Sequence, residues 1–472
     1  MRRLNRYGVS AIARRASYRG WIGETVGYRG RLHMLGAIPT ACRVSEASFA
    51  RERHMIWNNQ WRRIVLFFIL FGGMGTHAYG AESLTLDRAI QTALAQNPEL
   101  LAIRQELEVA RGREVKARLL NRFNPTIRGR VMNRKNPGSG SVTDSQVMLS
   151  QEVEVAGQRG LRIQEAVNNV QRVEAQIRDR ERILIGDVKR AYFAARAAEM
   201  RLRLRRAIET LNRRIRDATR RRVQAGAAPT LEANLAEIRY GQSRKETLAI
   251  EAVVRANIVT LLRLLGWPSD RAVELVDPLR GSLTAVRLPQ LLQVAKRQRP
   301  DLLAAEREVM RAQAAMKLTR RLIVPNPTFQ GFYQTETESA EGTSTIIGGG
   351  IGIPLPLFDR KQGELVTQGG ELNRGRHQVI AVTRRIEQEV EAAFHAYEAA
   401  RQAVEVFEEA VLDRIEENVR FIEIAYREGK IGLLQLIVVQ NDLITAQLSY
   451  IDSLAQYRTA EANLEQAIGG EL

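Results

Sequence analysis

Apolar positions in this chain recur in two rhythms, and each predicts a different element. Over most of the chain beyond residue 84 they fall three and four apart, as in Leu86, Ile90 and Leu94, the spacing of a helix with one buried stripe. The longest stripe, Ile386, Val390, Ala393, Tyr397, Ala400, Val404, Phe407 and Val411, keeps a strict 4-3 alternation. That is the 3.5-residue period of a helix packed lengthwise on its neighbours, so these side chains read as core. From Gln158 to Ala225 proline is absent and glycine nearly so, which predicts one helix of about 68 residues and roughly 100 Å. The turn Gly226-Ala227-Ala228-Pro229-Thr230 reverses it, and a shorter helix runs to Leu265 with Gly266 as its stop. The same events follow in Gln362–Glu428, the turn Gly429-Lys430-Ile431-Gly432, and Leu433–Ile468. Ahead of both, Leu84–Leu120 reads as one helical segment broken at Asn97-Pro98-Glu99, with Asn97 as a cap.

The second rhythm is a strict alternation, the mark of strands with two unlike faces. Ile127, Gly129 and Val131 alternate with Arg128 and Arg130 in a hairpin spanning about 126–155, whose turn is placed in KNPGSGSVTD. A second hairpin spans about 328–355. There Phe329, Gly331, Tyr333 and Thr335 alternate with Gln330, Phe332, Gln334 and Glu336, the turn is placed at Ser339–Ser344, and Ile347, Ile351 and Ile353 alternate with glycines. Pro354 and Pro356 cannot continue a ladder, so the strand stops there and Asp359 is positioned to cap the next helix. The hairpins lie at matching points of a tandem duplication. Asn97-Pro98 and Asn124-Pro125 correspond to Arg299-Pro300 and Asn326-Pro327 at an offset of 202, the exit Glu152–Arg159 is set against Pro354–Lys361, and Gly226 and Gly266 correspond to Gly429 and Gly469 at 203. The repeats are 81–266 and 286–469, joined by a linker at 267–285.

The first 80 residues stand apart. Arg62-Arg63 precede an eight-residue apolar run, Ile64–Phe71, and small residues before Ala81, the form of a secretory signal peptide over 55–80. Residues 1–54 read as a misplaced start ahead of Met55, or else as an unusually long leader. Of 71 Lys/Arg and 53 Asp/Glu, 13 and 3 fall in residues 1–80, leaving 58 against 50, so the formal +18 becomes +8. With no recognition motif beside it, that modest excess removes the main support for nucleic-acid binding. The only cysteine, Cys42, is lost with the leader, which excludes disulfides and a lipid-bearing cysteine after the signal.

Catalysis finds no foothold. His377 and His395 lack the spacing of a metal site, and Gly348-Gly349-Gly350 lies in a strand pattern with no lysine-serine after it. No catalytic residue, cofactor or metal site is expected, and the protein does not read as an enzyme. Closure then decides the class. Two hairpins supply four strands with apolar outward faces, too few for a barrel, and lipid tolerates no open edge, so several chains must share one.

The helix-Asn-Pro-strand starts, the exits LSQEVEVAGQRGLR (Leu149–Arg162) and GIGIPLPLFDRKQGEL (Gly352–Leu365), and the two tip turns resemble the TolC-like outer membrane factors of tripartite efflux systems over about Leu84–Gly469. IPLPLFDR followed by glutamine and glycine looks most like the CzcC-type heavy-metal-efflux branch. The resemblance implies a mainly α protein with a small β part. It would be a homotrimer sharing a twelve-stranded outer-membrane β-barrel, continued by a long periplasmic α-helical barrel. It further implies a periplasmic adaptor protein and an inner-membrane RND pump as partners, a lipid-facing barrel, no nucleic acid, and a passive conduit for export, of divalent heavy-metal cations on the branch assignment or of small organic or antibiotic substrates otherwise. A secreted structural coiled-coil protein is the alternative from another class, and it leaves the paired hairpins unexplained.

Adaptor contact would fall on Gly226, Ala227, Ala228 and Pro229 and on Gly429, Lys430, Ile431 and Gly432. Relatives often carry aspartates just beyond the second tip, where this chain has Gln435 and Val438, so an acidic-ring gate is not expected. Residues 201–222 carry a net +8 and residues 404–424 a net −5. Arg203, Arg206, Arg213 and Arg214 against Glu405, Glu408, Glu416 and Glu417 therefore form a candidate ion-pair gate, the alternative being two solvated faces.

Overall fold

In the computed structural model the described residues are 82–136, 140–338, 342–410 and 430–472, with Asn418, Phe421, Ile422, Ile424, Ala425 and Glu428 between the last two stretches. The first repeat contains β1 (Glu82–Leu84), α1 (Leu86–Gln96), α2 (Pro98–Arg118), β2 (Thr126–Asn136), β3 (Gly140–Glu152), α3 (Gln158–Gln224) and α4 (Thr230–Leu265). The second contains β4 (Val273–Leu275), α5 (Leu288–Gln298), α6 (Pro300–Arg321), β5 (Thr328–Glu338), β6 (Gly342–Gly352), α7 (Gln362–Ala410) and α8 (Leu433–Ile468). At 67 residues α3 is about 100 Å long. It packs on α4 of its own repeat and on α6 and α8 of the other, so the repeats interleave.

The break at Asn97 is as the pattern predicts. Asn97 ends α1 and caps α2, its side chain accepting the Leu100 N–H at 2.9 Å, and Pro98 takes the first helical position. The expected single segment from Leu84 is corrected at its start: residues 82–84 form β1, which pairs in parallel with Val273–Leu275. The 267–285 stretch, expected to be a linker, therefore carries a strand and enters the core, with Leu275 and Leu279 buried. Three-residue strands are too short for any periodicity, so their pairing is decided by the core they cover.

That core lies midway along the helices, where Tyr192, Tyr397 and Tyr457 are fully buried. Each hydroxyl reaches back to β1 or the crossing stretch: Tyr192 to the Leu84 carbonyl at 2.8 Å, Tyr397 to Thr284 O at 2.8 Å, Tyr457 to Ser282 O at 2.6 Å. Burial raises the Tyr192 and Tyr457 pKa far above the ordinary value, aided by hydrogen bonds to Asp277 and Tyr397 respectively. The heptad stripe faces this core, with Ile386, Val390, Tyr397 and Val404 buried and Ala393 and Ala400 packed beside them. Phe407 stacks obliquely on Tyr450 with centroids 6.0 Å apart, and Val411 lies outside the described residues.

The four long strands form one antiparallel sheet in the order β2-β3-β5-β6. Both hairpins run further outward than expected. The ladders reach Asn136↔Gly140 and Glu338↔Gly342, so much of KNPGSGSVTD and the stretch Gly342–Ser344 is strand. Threonine and serine there suggest a turn, yet ladder hydrogen bonds use only backbone groups. Residues 137–139 and 339–341 lie outside the described residues.

Candidate functional site

The sheet has two chemically distinct faces. In register, Gly129, Val147, Tyr333 and Ile347 share one row, and Ile127, Leu149, Gly331 and Gly349 the next on the same side. Ile127, Val147, Leu149, Tyr333, Ile347 and Ile351 on this side are all exposed, a contiguous apolar face. The opposite rows carry Arg130, Gln146, Gln334 and Ile346, then Arg128, Met148, Phe332 and Gly348. Along β3, Val142 and Asp144 are buried and Gln146 and Met148 half-buried while Thr143, Ser145 and Val147 between them are exposed. This central strand is therefore covered on the side of Gln146 and Met148 and open on the apolar side. Strands of 11 to 13 residues match the length that crosses a bilayer at a tilt. β2 and β6 keep open edges within the chain.

Below the strands the exits bind neighbouring segments together. Asn326 donates to the Glu152 carboxylate at 2.8 Å and accepts from Gln158 Nε2 at 3.0 Å, so the start of the second hairpin is tied to the exit of the first. Past Gly352 the chain is irregular through Pro354 and Pro356, and Leu355, Leu357 and Phe358 stand exposed. Asp359 was expected to cap the next helix. Its carboxylate instead accepts the Lys361 N–H at 2.9 Å and pairs with Lys361 Nζ at 2.9 Å, two residues ahead of the cap position. The residue before α7 is Lys361, at φ 58°, and the residue before α3 is Gly157, at φ 72°. Both are followed by a glutamine whose side chain accepts the N–H two residues back. The exits thus correspond at an offset of 204, not 202, because matching left-handed residues rather than matching letters start the two helices. Asp359 holds Lys361 in a conformation that glycine adopts freely.

At the far end, Gly226 has φ 70° and Ala227 N–H bonds back to Arg222 O at 2.8 Å. Lys430 N–H bonds to Ala425 O at 2.8 Å, the same five-residue return, while Gly429 lies outside the described residues. Ala227, Pro229, Lys430 and Gly432 are exposed and Ala228 half-exposed. Ile431 packs against Ala236, Leu436 and Ile437, in a cluster that also takes in Ile215 and joins the two tips. Gln435 and Val438 are exposed, three residues apart on α8.

The candidate gate residues find partners closer to home. Arg206 pairs with Glu251 of α4 at 2.8 Å, in a row with Arg205–Glu246 at 2.5 Å, Arg244–Glu209 at 3.0 Å and Arg220–Glu237 at 2.6 Å. Glu408 pairs with Arg280 at 2.8 Å and Glu405 with Arg401 one turn earlier on its own helix. Arg203, Arg213 and Arg214 are exposed, and Glu416 and Glu417 lie outside the described residues. Among the described residues no candidate arginine meets a candidate glutamate. Sequence comparison of the two long helices missed α4, whose glutamates match α3 across the hairpin.

Under the sheet, α2, α3, α6 and α7 line an open cavity of about 860 Å³ that carries seven arginine and lysine side chains and two glutamates. His377 and His395 are exposed, and no group of three His, Cys, Asp or Glu side chains is placed to hold a metal among the described residues.

A family model described as "Outer membrane efflux protein" matches residues 89–267 and 291–470, one block per repeat. This chain belongs to the outer membrane efflux protein family. It is 24% identical over 389 residues to the cobalt-zinc-cadmium resistance protein CzcC of Cupriavidus metallidurans, covering 82% of this chain and 91% of that one. It is 25% identical over 412 residues to the toluene efflux pump outer membrane protein TtgF of Pseudomonas putida, covering 81% and 82%. Among solved structures, VceC of Vibrio cholerae superposes with a TM-score of 0.65 at 17% identity, covering 82% of this chain and 96% of that one. CusC superposes at 0.63 and 17% identity, covering 82% and 92%. The efflux protein is thus an outer-membrane channel protein with a periplasmic extension.

Proposed function

We propose that this protein is the outer-membrane duct of a tripartite RND-type efflux system, acting as a homotrimer with a periplasmic adaptor at its helical tips and an inner-membrane pump beyond. The observation that carries this reading is the four-stranded sheet with an exposed apolar face and two open edges. One chain leaves β2 and β6 unpaired, and lipid leaves them no partner but another copy. Repeat symmetry names the contact. Gln158 meets Asn326 inside the chain, so Gln362 of one copy meets Asn124 of the next. Asn124→Cys with Gln362→Cys should give cross-linked trimers on oxidation. Exclusively monomeric protein in the outer membrane would sink the shared barrel.

For the cargo, similarity to a cobalt-zinc-cadmium resistance protein favours divalent heavy-metal cations, and comparable similarity to a toluene efflux component keeps small organic molecules as the second reading. Deletion of the gene should lower tolerance to cobalt, zinc or cadmium in the first case, and to solvents alone in the second. At the tips, bulky replacements at Ala228 and Gly432 should abolish export while leaving the trimer inserted, if adaptors dock there.

The ion-pair gate is a further part of the proposal, acting between copies. Reversing Glu408, Glu416 and Glu417 to lysine should open a leak, and reversing Arg206, Arg213 and Arg214 to glutamate in the same protein should partly close it. Additive damage without rescue would leave these charges a solvating role only.

A further inference from the structure

The cavity beneath the sheet carries a charge opposite to the one that suits free metal cations. Its wall comes from all four helices of the layer α2-α3-α6-α7, and both outermost helices reach it, so the layer bends around it. Seven basic side chains against Glu165 and Glu308 of the lining and the adjoining Glu154 and Glu371 leave an excess of three positive charges in each chain. Four of the bases are held in place. Arg311 pairs with Glu308 at 2.7 Å and Glu165 at 3.5 Å, Arg172 with Glu308 at 3.4 Å, Arg162 with Glu154, and Arg374 with Glu371. The other three, Arg113, Lys116 and Arg122, are exposed and make no hydrogen bond or ion pair with the described residues. Burial raises the Glu165 carboxyl above its ordinary value even with Arg311 beside it. On the face of the sheet opposite the apolar one, Arg128 and Arg130 carry the same sign.

We propose that this basin is an anion-binding site on the channel wall, for small soluble polyanions bearing phosphate or carboxylate groups, and that three such basins make the assembled duct prefer anions. The inference rests on the channel reading above and deepens it. A recess lined by one sign of charge focuses potential, and with a Debye length of about 8 Å at physiological salt the field spans its mouth. Unpaired guanidinium groups offer forked donors that fit phosphate and carboxylate oxygens. Metal cargo would then cross most readily as an anionic complex.

The test uses protein extracted from the outer membrane and reconstituted in bilayers of uncharged phosphatidylcholine, under a KCl gradient, with inorganic tripolyphosphate as probe. Chloride should permeate better than potassium, and tripolyphosphate should lower the conductance. Arg113→Glu, Lys116→Glu and Arg122→Glu together should invert the preference and weaken the block by about ten-fold. The glutamine versions of the three should weaken it less. Potassium preference in the native channel, or an unchanged block in both sets, overturns the proposal. So does failure of both sets to insert, which would make these three side chains structural. Conductance that ignores tripolyphosphate but falls when anionic phospholipid is added makes the occupant a lipid headgroup and overturns the soluble polyanion. Protein that forms no pore at all refutes the channel reading itself.

Discussion

In the first repeat the joint between α1 and α2 is closed by Asn97, whose amide donates to the Leu264 carbonyl at 2.9 Å. In the second, the joint between α5 and α6 is closed by Arg299, whose guanidinium donates to the Ala467 carbonyl at 3.0 Å. Leu264 and Ala467 occupy the same place, two residues before the glycine that ends each returning helix. Both joints must satisfy a carbonyl at a buried helix end, and both place proline at the first helical position. They differ in what comes with the donor. Asn97 is neutral, and Glu99, two residues on, is largely exposed. Arg299 is buried, so it brings Asp301 at 2.7 Å and Glu389 at 2.7 Å, and Arg385 joins Asp301 at 2.9 Å. The backbones also approach differently. A Cβ on Gly266 would stand 2.5 Å from Gln96 O, whereas one on Gly469 meets nothing closer than 3.6 Å. A duplicated joint can therefore keep one hydrogen bond while exchanging tight backbone contact and an amide for a wider gap and an ion network.

The largest expected effect is on the charged joint. Arg299→Ala leaves Asp301 buried without its main partner and should cost about 3–5 kcal/mol, against about 1–3 kcal/mol for Asn97→Ala, read as loss of amide protection at the ends of α8 and α4 respectively. Equal losses would break the comparison. Next come the strands, where the copies should behave alike. Val147→Arg and Ile351→Arg each put a charge on the exposed apolar face and should cost about 2–4 kcal/mol near the bilayer middle. Normal insertion of either variant would contradict the register of its hairpin. At the returning-helix ends, Gly266→Ala and Gly469→Ala share the strain of a left-handed residue, of order 1–2 kcal/mol. Only Gly266→Ala adds a backbone clash, so its thermal midpoint should fall further.

The smallest effect is that of pH. Burial acts to raise the Asp301 carboxyl, but the Arg299 hydrogen bond and charge, with Arg385, hold it below its usual value. A depressed carboxyl contributes stability that is present above its unfolded pKa, about 3.9, and is lost as pH falls through the lower folded value. Acid below about pH 4 should therefore loosen the end of α8 before that of α4. Hydrogen exchange showing both ends opening together would remove the distinction.

Helical and strand periods lie in local sequence, and that is why so much of this protein is legible without coordinates. The 67-residue α3, the return at Gly226, the stops at Gly266 and Gly469, and the Asn97 cap each follow from nearby residues. So do the two faces of the strands, because alternation is a property of one chain segment. The short pairing of β1 with β4, the tyrosine hydroxyls reaching Leu84, Ser282 and Thr284, the ion pairs between α3 and α4, and the basic cavity were not legible. Each joins residues far apart in sequence, so nothing in the local pattern distinguishes those that meet from those left in water. The repeat itself was legible and its exact register was not. Letters align Gly157 with Asp359, while the backbone aligns it with Lys361, because what the fold preserves at a helix start is a dihedral angle and a satisfied N–H. The side chain that provides them is free to change.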